Sequence, residues 1–198
     1  YFWVTRMSKH KIAILVSGTG TNAINIIEYF EKNSVADVVL VISNKTDALA
    51  VEKAQNKGVK TVVFNNESFK KNGVVLDYLM SQSIDFIVLA GFLIKISNDI
   101  IRAYPNKIVN LHPSLLPKYG GKGMYGKRVH RAVIEAQESE SGISIHFVNK
   151  EYDEGAIIFQ AKVSVEKGDS VEVLTKKIQQ LEHRFFPKVI EQVIGKSL

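Results

Sequence analysis

Short apolar runs alternate with helix-patterned segments along most of this chain, and this alternation restricts its fold more than any other feature. Residues 11–16 form the first run, and Ala23, Ile27 and Phe30 follow it at helical spacing. Because the runs are apolar at successive positions, they predict strands that are buried on both faces. Buried strands separated by helices predict an α/β fold, with an open, mostly parallel, Rossmann-like sheet and helices on both faces.

The same pattern predicts the individual elements. The strands of the parallel part are predicted at residues 11–16, 38–42, 60–64, 85–91 and 107–113. Besides the helix after the first strand, helices are predicted at residues 48–57, 74–82 and 170–194. The rhythm changes after Gly142, where residues 143–149 and 156–165 predict two longer strands joined by a turn. This pair predicts an antiparallel C-terminal extension of the sheet.

Composition limits the class of protein. The chain has 198 residues, enough for one well-cored domain, and we expect a single domain over residues 11–198 after an extension over residues 1–10. No apolar run approaches the ~18 residues of a membrane-spanning helix, so no membrane association is expected. Cysteine is absent, which excludes disulfides and Cys-ligated metals and fits a cytoplasmic location. A monomer and a homodimer are both compatible with the sequence.

The formal net charge of +6 favours an anionic ligand. The densest basic stretch, residues 118–131, is rich in glycine, and the other Lys and Arg residues are scattered. A nucleic-acid surface is usually a basic stripe or a recognisable module, and neither occurs in the sequence. A small anionic substrate, rather than a nucleic acid, is therefore the expected partner.

The turn after the first strand has the composition of a phosphate site. Residues 17–22 read Ser-Gly-Thr-Gly-Thr-Asn, so backbone N–H groups can approach an anion at a helix N-terminus. The alternative is a tight turn in which a residue of the same stretch caps the helix. Gly18, Gly20 and Ala23 also fit a dinucleotide fingerprint, but the second strand ends without the acidic residue that binds a ribose. A nicotinamide cofactor is therefore disfavoured.

Asn110 and His112 end the fifth strand, at the sheet edge where open α/β folds bind ligands. Strand alternation places them on one face, where an amide and an imidazole could donate hydrogen bonds to a developing oxyanion. The alternative is a polar pair satisfied at a strand end. Asp153 lies in the turn between the last two strands, where it could stabilise a protonated imidazole, take up a proton, or cap the turn. His146 could support this site or face solvent.

The remaining candidates are less specific. Gln179 and Glu182 share one face of the last helix and could contact a substrate amine or hydroxyl, although such polar pairs are commonly solvated. The five histidines lack metal-ligand spacing, so no metal is expected. Neither a Gly-x-Ser-x-Gly elbow nor a Walker lysine occurs.

Taken in order, seven short motifs make the chain resemble the glycinamide ribonucleotide formyltransferase family of purine synthesis. The motifs are at residues 17–22, 42–45, 89–92, 110–117, 142–147, 152–155 and 182–183. The resemblance implies transfer of the formyl group of 10-formyltetrahydrofolate to the amine of glycinamide ribonucleotide. The products would be N-formylglycinamide ribonucleotide and tetrahydrofolate, and no metal would be required.

The resemblance also implies roles for individual residues. Asn110, His112 and Asp153 match the family's catalytic residues. The substrate phosphate would bind at Gly20, Thr21 and Asn22, and Gln179 and Glu182 would be further substrate contacts. The folate would bind at two segments, namely Leu93, Ile94, Lys95 and Ile96, and Asn149, Lys150, Glu151 and Tyr152.

The chain departs from the family pattern in two places. Residues 120–126 are an insertion relative to shorter members, and Arg128 stands where a histidine is common. Ile94 stands where the family usually has an arginine, with Lys95 one position later. The three predicted catalytic residues and the predicted phosphate turn match the family pattern.

Three alternative functions share part of the pattern. A formyltetrahydrofolate deformylase would use the same three residues with water as the acceptor, but such enzymes usually carry an N-terminal regulatory domain, which the few residues before the first strand cannot form. A methionyl-tRNA formyltransferase is similar around Asn110 and His112, but it would need a tRNA-binding domain. A non-catalytic nucleotide- or folate-binding module could keep the fold, although the complete set of three residues argues against it.

Overall fold

A computed structural model describes residues 9–33 and 35–196. The predicted N-terminal extension lies outside these residues except for its last two positions. The described residues form a sheet of seven strands and seven helices. The strands are β1 (His10–Val16), β2 (Ala36–Ser43), β3 (Lys60–Val63), β4 (Phe86–Leu89), β5 (Ile108–His112), β6 (Glu140–Phe147) and β7 (Ile157–Ser164). The helices are α1 (Thr21–Glu31), α2 (Leu49–Asn56), α3 (Asn66–Lys70), α4 (Val74–Ser81), α5 (Asn98–Ala103), α6 (Lys127–Glu135) and α7 (Val171–Lys196).

The strands lie in the order β3-β2-β1-β4-β5-β6-β7 across the sheet. Strands β1 to β5 are paired in parallel, whereas β6 runs antiparallel to both β5 and β7. The chain winds outward from β1 to β3 and then crosses back to β4, so the connections after β1 and β4 lead in opposite directions. Such a reversal opens a crevice at the carboxyl ends of the strands. The predicted α/β class is confirmed, including the antiparallel extension.

Two hydrophobic cores cover opposite faces of the sheet, as the strands' apolar runs predict. In β1, Ile12, Ile14 and Val16 belong to the first core, and Ala13 and Leu15 belong to the second. Helices α1, α2, α6 and α7 supply the first core, and α3, α4 and α5 supply the second. The two cores together fix the strand ends that carry the polar residues described below.

Helix α7 is the longest element, with 26 residues, and it packs on the first core. Leu174 and Ile178 are buried, and further along Phe186 is fully buried whereas Phe185 is half-buried. The buried stripe of a helix follows positions i, i+4 and i+8, which explains why Phe186, eight residues after Ile178, is buried and Phe185 is not. No described helix, α7 included, combines the length and the hydropathy of a membrane span.

The sequence pattern does not predict α3, α5 or α6. Helices α3 and α5 have only five and six residues, too few to show a helical period. Helix α6 begins inside the Gly-rich basic stretch, and its apolar signal consists of Val129 and Val133 together with a partly buried Ile134. This third case matters for the site, because α6 carries His130.

Candidate active site

A cavity of about 410 Å³ lies at the carboxyl ends of β1, β4 and β5. Its wall combines the turn after β1, the segment after β4, the end of β5, the loop before α6, the turn at Asp153 and one side of α7. The volume falls within the range of small-molecule sites. The fold thus brings together segments that are far apart in the sequence.

The turn after β1 presents its backbone to the cavity. Gly20 caps α1 with a φ of 73°, and a Cβ at this position would lie 2.5 Å from the Cβ of Ala50. The Lys53 ammonium donates a hydrogen bond to the Thr19 carbonyl at 2.9 Å, which fixes the turn against α2. The first turn of α1 contains no acidic residue, so the partial positive charge of the helix N-terminus is not neutralised there. The predicted turn therefore has the properties of an anion site.

Asn110 and His146 are neighbours across β5 and β6, and their side chains form a hydrogen bond. His146 is 2% exposed, and its Nδ1 lies 2.8 Å from the Phe147 carbonyl, to which it donates a hydrogen bond. His146 Nε2 lies 3.0 Å from Asn110 Nδ2 and 3.7 Å from Asp153 Oδ1. Of the two interpretations of His146, support of the site is correct and solvent exposure is wrong.

His112 and Asp153 lie side by side in the same wall. His112 Nδ1 is 3.4 Å from Asp153 Oδ2, and His112 Nε2 is 2.8 Å from the Tyr119 carbonyl, to which it donates a hydrogen bond. The other carboxylate oxygen, Oδ1, is 3.4 Å from Asn110 Nδ2. The Gly121 N–H donates to Oδ2 at 2.9 Å. Asp153 is therefore a shared partner of the amide and the imidazole, rather than a local turn residue.

The charges of this pair follow from burial and from their partners. Burial raises the pKa of Asp153, but hydrogen bonding to His146, the nearby His112 and the Gly121 N–H together bring that pKa below its ordinary value. Burial lowers the pKa of His112 and outweighs the opposing effect of Asp153. At neutral pH the resting site thus holds an ionised Asp153 beside a neutral His112. A proton that arrives between Nδ1 and Oδ2 would be held by both groups.

On the opposite side of the cavity, Glu182 of α7 contacts the turn after β1. Its Oε2 accepts a hydrogen bond from Asn22 Nδ2 at 2.8 Å, and burial raises the pKa of Glu182 to about 6. Asn22 Oδ1 is buried and has no hydrogen-bond partner among the described residues. Gln179 lies one turn earlier on the same wall. Both predicted contacts of the last helix therefore face the cavity.

The structure brings only part of the predicted folate segments to the cavity wall. Leu93 and Tyr152 line it, and Lys95 Nζ lies 5.5 Å above the Tyr152 ring and 3.8 Å from Glu151 Oε2. Ile96 is buried in the second core, and the partly buried Ile94 packs against that core. The remaining two predicted residues, Asn149 and Lys150, are exposed. The two segments do meet at one rim of the cavity, through Lys95 and residues 151–152.

Several wall residues were not among the predicted site residues. Those in or after the inserted loop are Gly121, Gly123, Met124, Tyr125, Gly126, Lys127 and His130. Arg128, the departure from the family pattern, lies 4.8 Å from the Tyr125 ring centroid. The glycines of residues 120–126 were the available signal, because such a run suits backbone that approaches a ligand closely. Within the described residues, no group of His, Asp and Glu side chains is arranged to hold a metal ion.

Comparisons with known proteins agree with this arrangement. Residues 10–190 match the formyl transferase family. A phosphoribosylglycinamide formyltransferase of Haemophilus influenzae is 39% identical over 186 residues, which are 91% of this chain and 85% of the relative. The chloroplastic phosphoribosylglycinamide formyltransferase of Arabidopsis thaliana is 39% identical over 92% of this chain, which spans 64% of that relative. The crystal structure of glycinamide ribonucleotide transformylase 1 from Symbiobacterium toebii superposes with a TM-score of 0.86 at 32% identity, over 95% of this chain and 89% of that one. The chain therefore belongs to the formyl transferase family.

Proposed function

We propose that this protein transfers the formyl group of 10-formyltetrahydrofolate to the amine of glycinamide ribonucleotide in purine synthesis. One observation carries the proposal: Asn110, His112 and Asp153 meet in a cavity whose opposite wall is a backbone turn at a helix N-terminus. The three side chains suit formyl transfer, because they can stabilise an oxyanion. The backbone turn suits a phosphorylated acceptor. Relatives named for this activity match most of the chain.

The ribonucleotide would bind along the wall formed by α1 and α7. Its phosphate would contact Gly20, Thr21 and Asn22, where the helix N-terminus favours negative charge. Gln179 and Glu182 would contact its hydroxyl or amine groups, since Glu182 and the unpaired Asn22 Oδ1 are both hydrogen-bond acceptors. These contacts would leave the amine directed toward Asn110 and His112.

The reaction would proceed by direct attack of the amine on the formyl carbon. A C–N bond forms, and the carbonyl electrons move onto oxygen. Asn110 Nδ2 would donate a hydrogen bond to that oxyanion, and His112, which takes up a proton from water as the negative charge develops and returns it when the oxyanion collapses, would donate a second. The bond from carbon to the folate nitrogen N10 then breaks and its electron pair stays on N10. The proton lost by the amine would reach N10 through Asp153 or water.

The resting geometry is compatible with these roles. The 3.4 Å distances from Asp153 to Asn110 and to His112 are longer than good hydrogen bonds, so both groups can turn toward a reacting oxygen. Catalytic hydrogen bonds are often long before substrate binds. Negative charge that develops on the oxyanion would raise the proton affinity of His112, against the effect of burial.

The folate would enter at the rim formed by Leu93 and Tyr152. Lys95, with Ile94 and Ile96 behind it, and residues 149–151 would complete this end of the site. We further propose one catalytic domain over residues 11–198, working in the cytoplasm on two small-molecule substrates, as a monomer or a homodimer. The continuous sheet, to which both cores belong, supports a single domain. No metal or nucleic acid takes part in the proposed reaction.

Formyl transfer from 10-formyltetrahydrofolate, with and without glycinamide ribonucleotide, tests the proposal by the release of tetrahydrofolate. Release that depends on the ribonucleotide is expected. Release without it would favour a formyltetrahydrofolate deformylase. Folate binding without release in either condition would favour a non-catalytic binding module.

A further inference from the structure

Helix α6 brings to the cavity an imidazole that the proposed reaction does not use. His130 is 4% exposed and lines the cavity, and it follows the N-terminus of α6 at Gly126 and Lys127. Its Nδ1 is buried and has no hydrogen-bond partner among the described residues. A buried polar atom without a partner is uncommon in a native protein, so this ring is a candidate for a role beyond packing.

The position of the proton on this ring follows from its surroundings. Burial, and then the nearby His112, lower the pKa of His130 to about 4, so the ring is neutral at physiological pH and carries one N–H. An unpaired N–H that is sealed from water is rarer than an unpaired acceptor. The sealed Nδ1 therefore holds the lone pair, and Nε2 holds the hydrogen. A ring that is buried at Nδ1 and lines the cavity can meet a ligand through its other edge.

The backbone before the ring also favours an oxygen ligand. Gly126 caps α6 with φ 51° and ψ −133°, a conformation that glycine adopts without strain, and the helix then begins directly at the cavity wall. The first turn of α6 contains no acidic residue. Its N-terminus consequently adds partial positive charge on the same side as His130.

We propose that His130 binds the acceptor substrate, donating a hydrogen bond from Nε2 to the carbonyl oxygen of its amide. This inference rests on the proposed function. In glycinamide ribonucleotide the amide lies between the reacting amine and the ribose. His130 lines the same cavity as His112 and Glu182, and it lies on the helix that packs against α7. A neutral imidazole can hydrogen-bond a carbonyl oxygen without introducing charge beside the reaction centre.

Two substitutions distinguish the two ring nitrogens. The amide group of Gln reaches the position of Nε2, whereas that of Asn reaches only the position of Nδ1. His130→Gln is expected to bind glycinamide ribonucleotide within about threefold of the unsubstituted protein, and His130→Asn about tenfold more weakly. Affinity is measured by calorimetry without folate, and KM and kcat are measured in the complete reaction. The loss should appear in KM for the ribonucleotide and leave KM for the folate unchanged.

The control is Arg131→Gln, an exposed position next to His130 on the same helix, which should match the unsubstituted protein in both assays. A readout that needs no substitution is the ¹⁵N NMR signal of His130 Nε2, which should shift when the ribonucleotide binds. Equal affinity in His130→Asn and His130→Gln, or an unmoved NMR signal, would overturn the assignment and leave the proposed function intact. Absence of ribonucleotide-dependent turnover by the unsubstituted protein would overturn both.

Discussion

Two walls of the same cavity are built by different means. The turn wall, residues 18–22, presents backbone N–H groups whose position depends on the close approach of Gly20 to Ala50 and on the hydrogen bond from Lys53 to the Thr19 carbonyl. The side-chain wall consists of Asn110, His112 and Asp153 with the buried His146 behind them, and their positions depend on contacts with one another. A backbone anion site has no group that titrates, whereas the hydrogen bonds that the side-chain wall can donate depend on which of its groups are protonated. Substitutions should therefore affect the two walls in different ways.

The largest effect is expected from truncation of the side-chain wall. Asn110→Ala and His112→Ala each remove a donor to the proposed oxyanion, so kcat should fall about 10²–10³-fold. Steady-state kinetics with both substrates saturating measures this loss, and circular dichroism and thermal unfolding check that the variants fold. Asn56→Ala, on the exposed surface of α2, is the control and should keep full activity. Near-normal turnover by either folded variant would contradict the role of this wall.

Substitutions in the turn wall should act by changing the backbone conformation. Gly20→Ala places a Cβ 2.5 Å from the Ala50 Cβ at a residue whose φ is 73°, so the backbone must shift. Strain of this kind costs about 1–3 kcal/mol, and denaturant unfolding should show the free energy of unfolding reduced by that amount. KM for the ribonucleotide should rise more than kcat falls, the opposite of the result for Asn110→Ala.

Gly18→Ala is the matched control for the turn wall. A Cβ at Gly18 meets no atom within 4 Å and its φ is not positive, so the free energy of unfolding should change by only about 0.5 kcal/mol. If both variants were equally unstable, the contact with Ala50 would not be what positions the turn.

The turn wall is joined to α7 where Glu182 accepts a hydrogen bond from Asn22, and this contact should be sensitive to pH. Burial raises the pKa of Glu182 from 4.5 to about 6 in the folded protein. The folded state therefore binds more protons than the unfolded state between these values, and stability falls as pH rises through this range. Glu182→Gln removes that dependence and should increase the free energy of unfolding at pH 7 by up to about 2 kcal/mol.

Urea unfolding at pH 4.5 and pH 7 measures this difference in both proteins. The unsubstituted protein should lose stability between the two pH values by about 2 kcal/mol more than Glu182→Gln. The same variant should bind the ribonucleotide more weakly, because it loses the charged acceptor. An identical pH dependence in the two proteins would show that the pKa of Glu182 is the same in the folded and the unfolded protein.

The difference between the walls also explains what the sequence could predict. The strands and the turn wall are local features, recorded in successive apolar residues and in a short Gly-rich motif. The choice between two roles for His146 required the pairing of Asn110 with His146 across β5 and β6, which no local pattern contains. His130 was missed because α6 has only nine residues and begins inside the Gly-rich basic stretch, so its few apolar residues were not read as a helix. The hydrogen bond from His112 to the Tyr119 carbonyl depends on a loop conformation, with φ of 56° at Tyr119, that no residue type in the loop demands.

The smallest effect is expected behind the side-chain wall, at Glu138. This carboxylate accepts hydrogen bonds from Lys118 Nζ and from the Tyr119 hydroxyl, each at 2.9 Å, and Tyr119 in turn holds His112 through its carbonyl. Glu138→Ala should lower kcat by up to about fivefold, the range of a surface ion pair, and leave both KM values unchanged. Glu138→Gln, which can still accept from Tyr119, should lose less.

Comparison of the two variants decides how far the side-chain wall extends. If only the alanine variant loses activity, the Tyr119 hydroxyl transmits the effect, and the position of His112 depends on an outer layer of hydrogen bonds. If neither variant changes kcat, the left-handed backbone at Tyr119 is sufficient by itself. The loop that holds His112 would then be fixed by backbone conformation, as the turn wall is. The contrast between the walls would be limited to Asn110, His112 and Asp153 with His146 behind them.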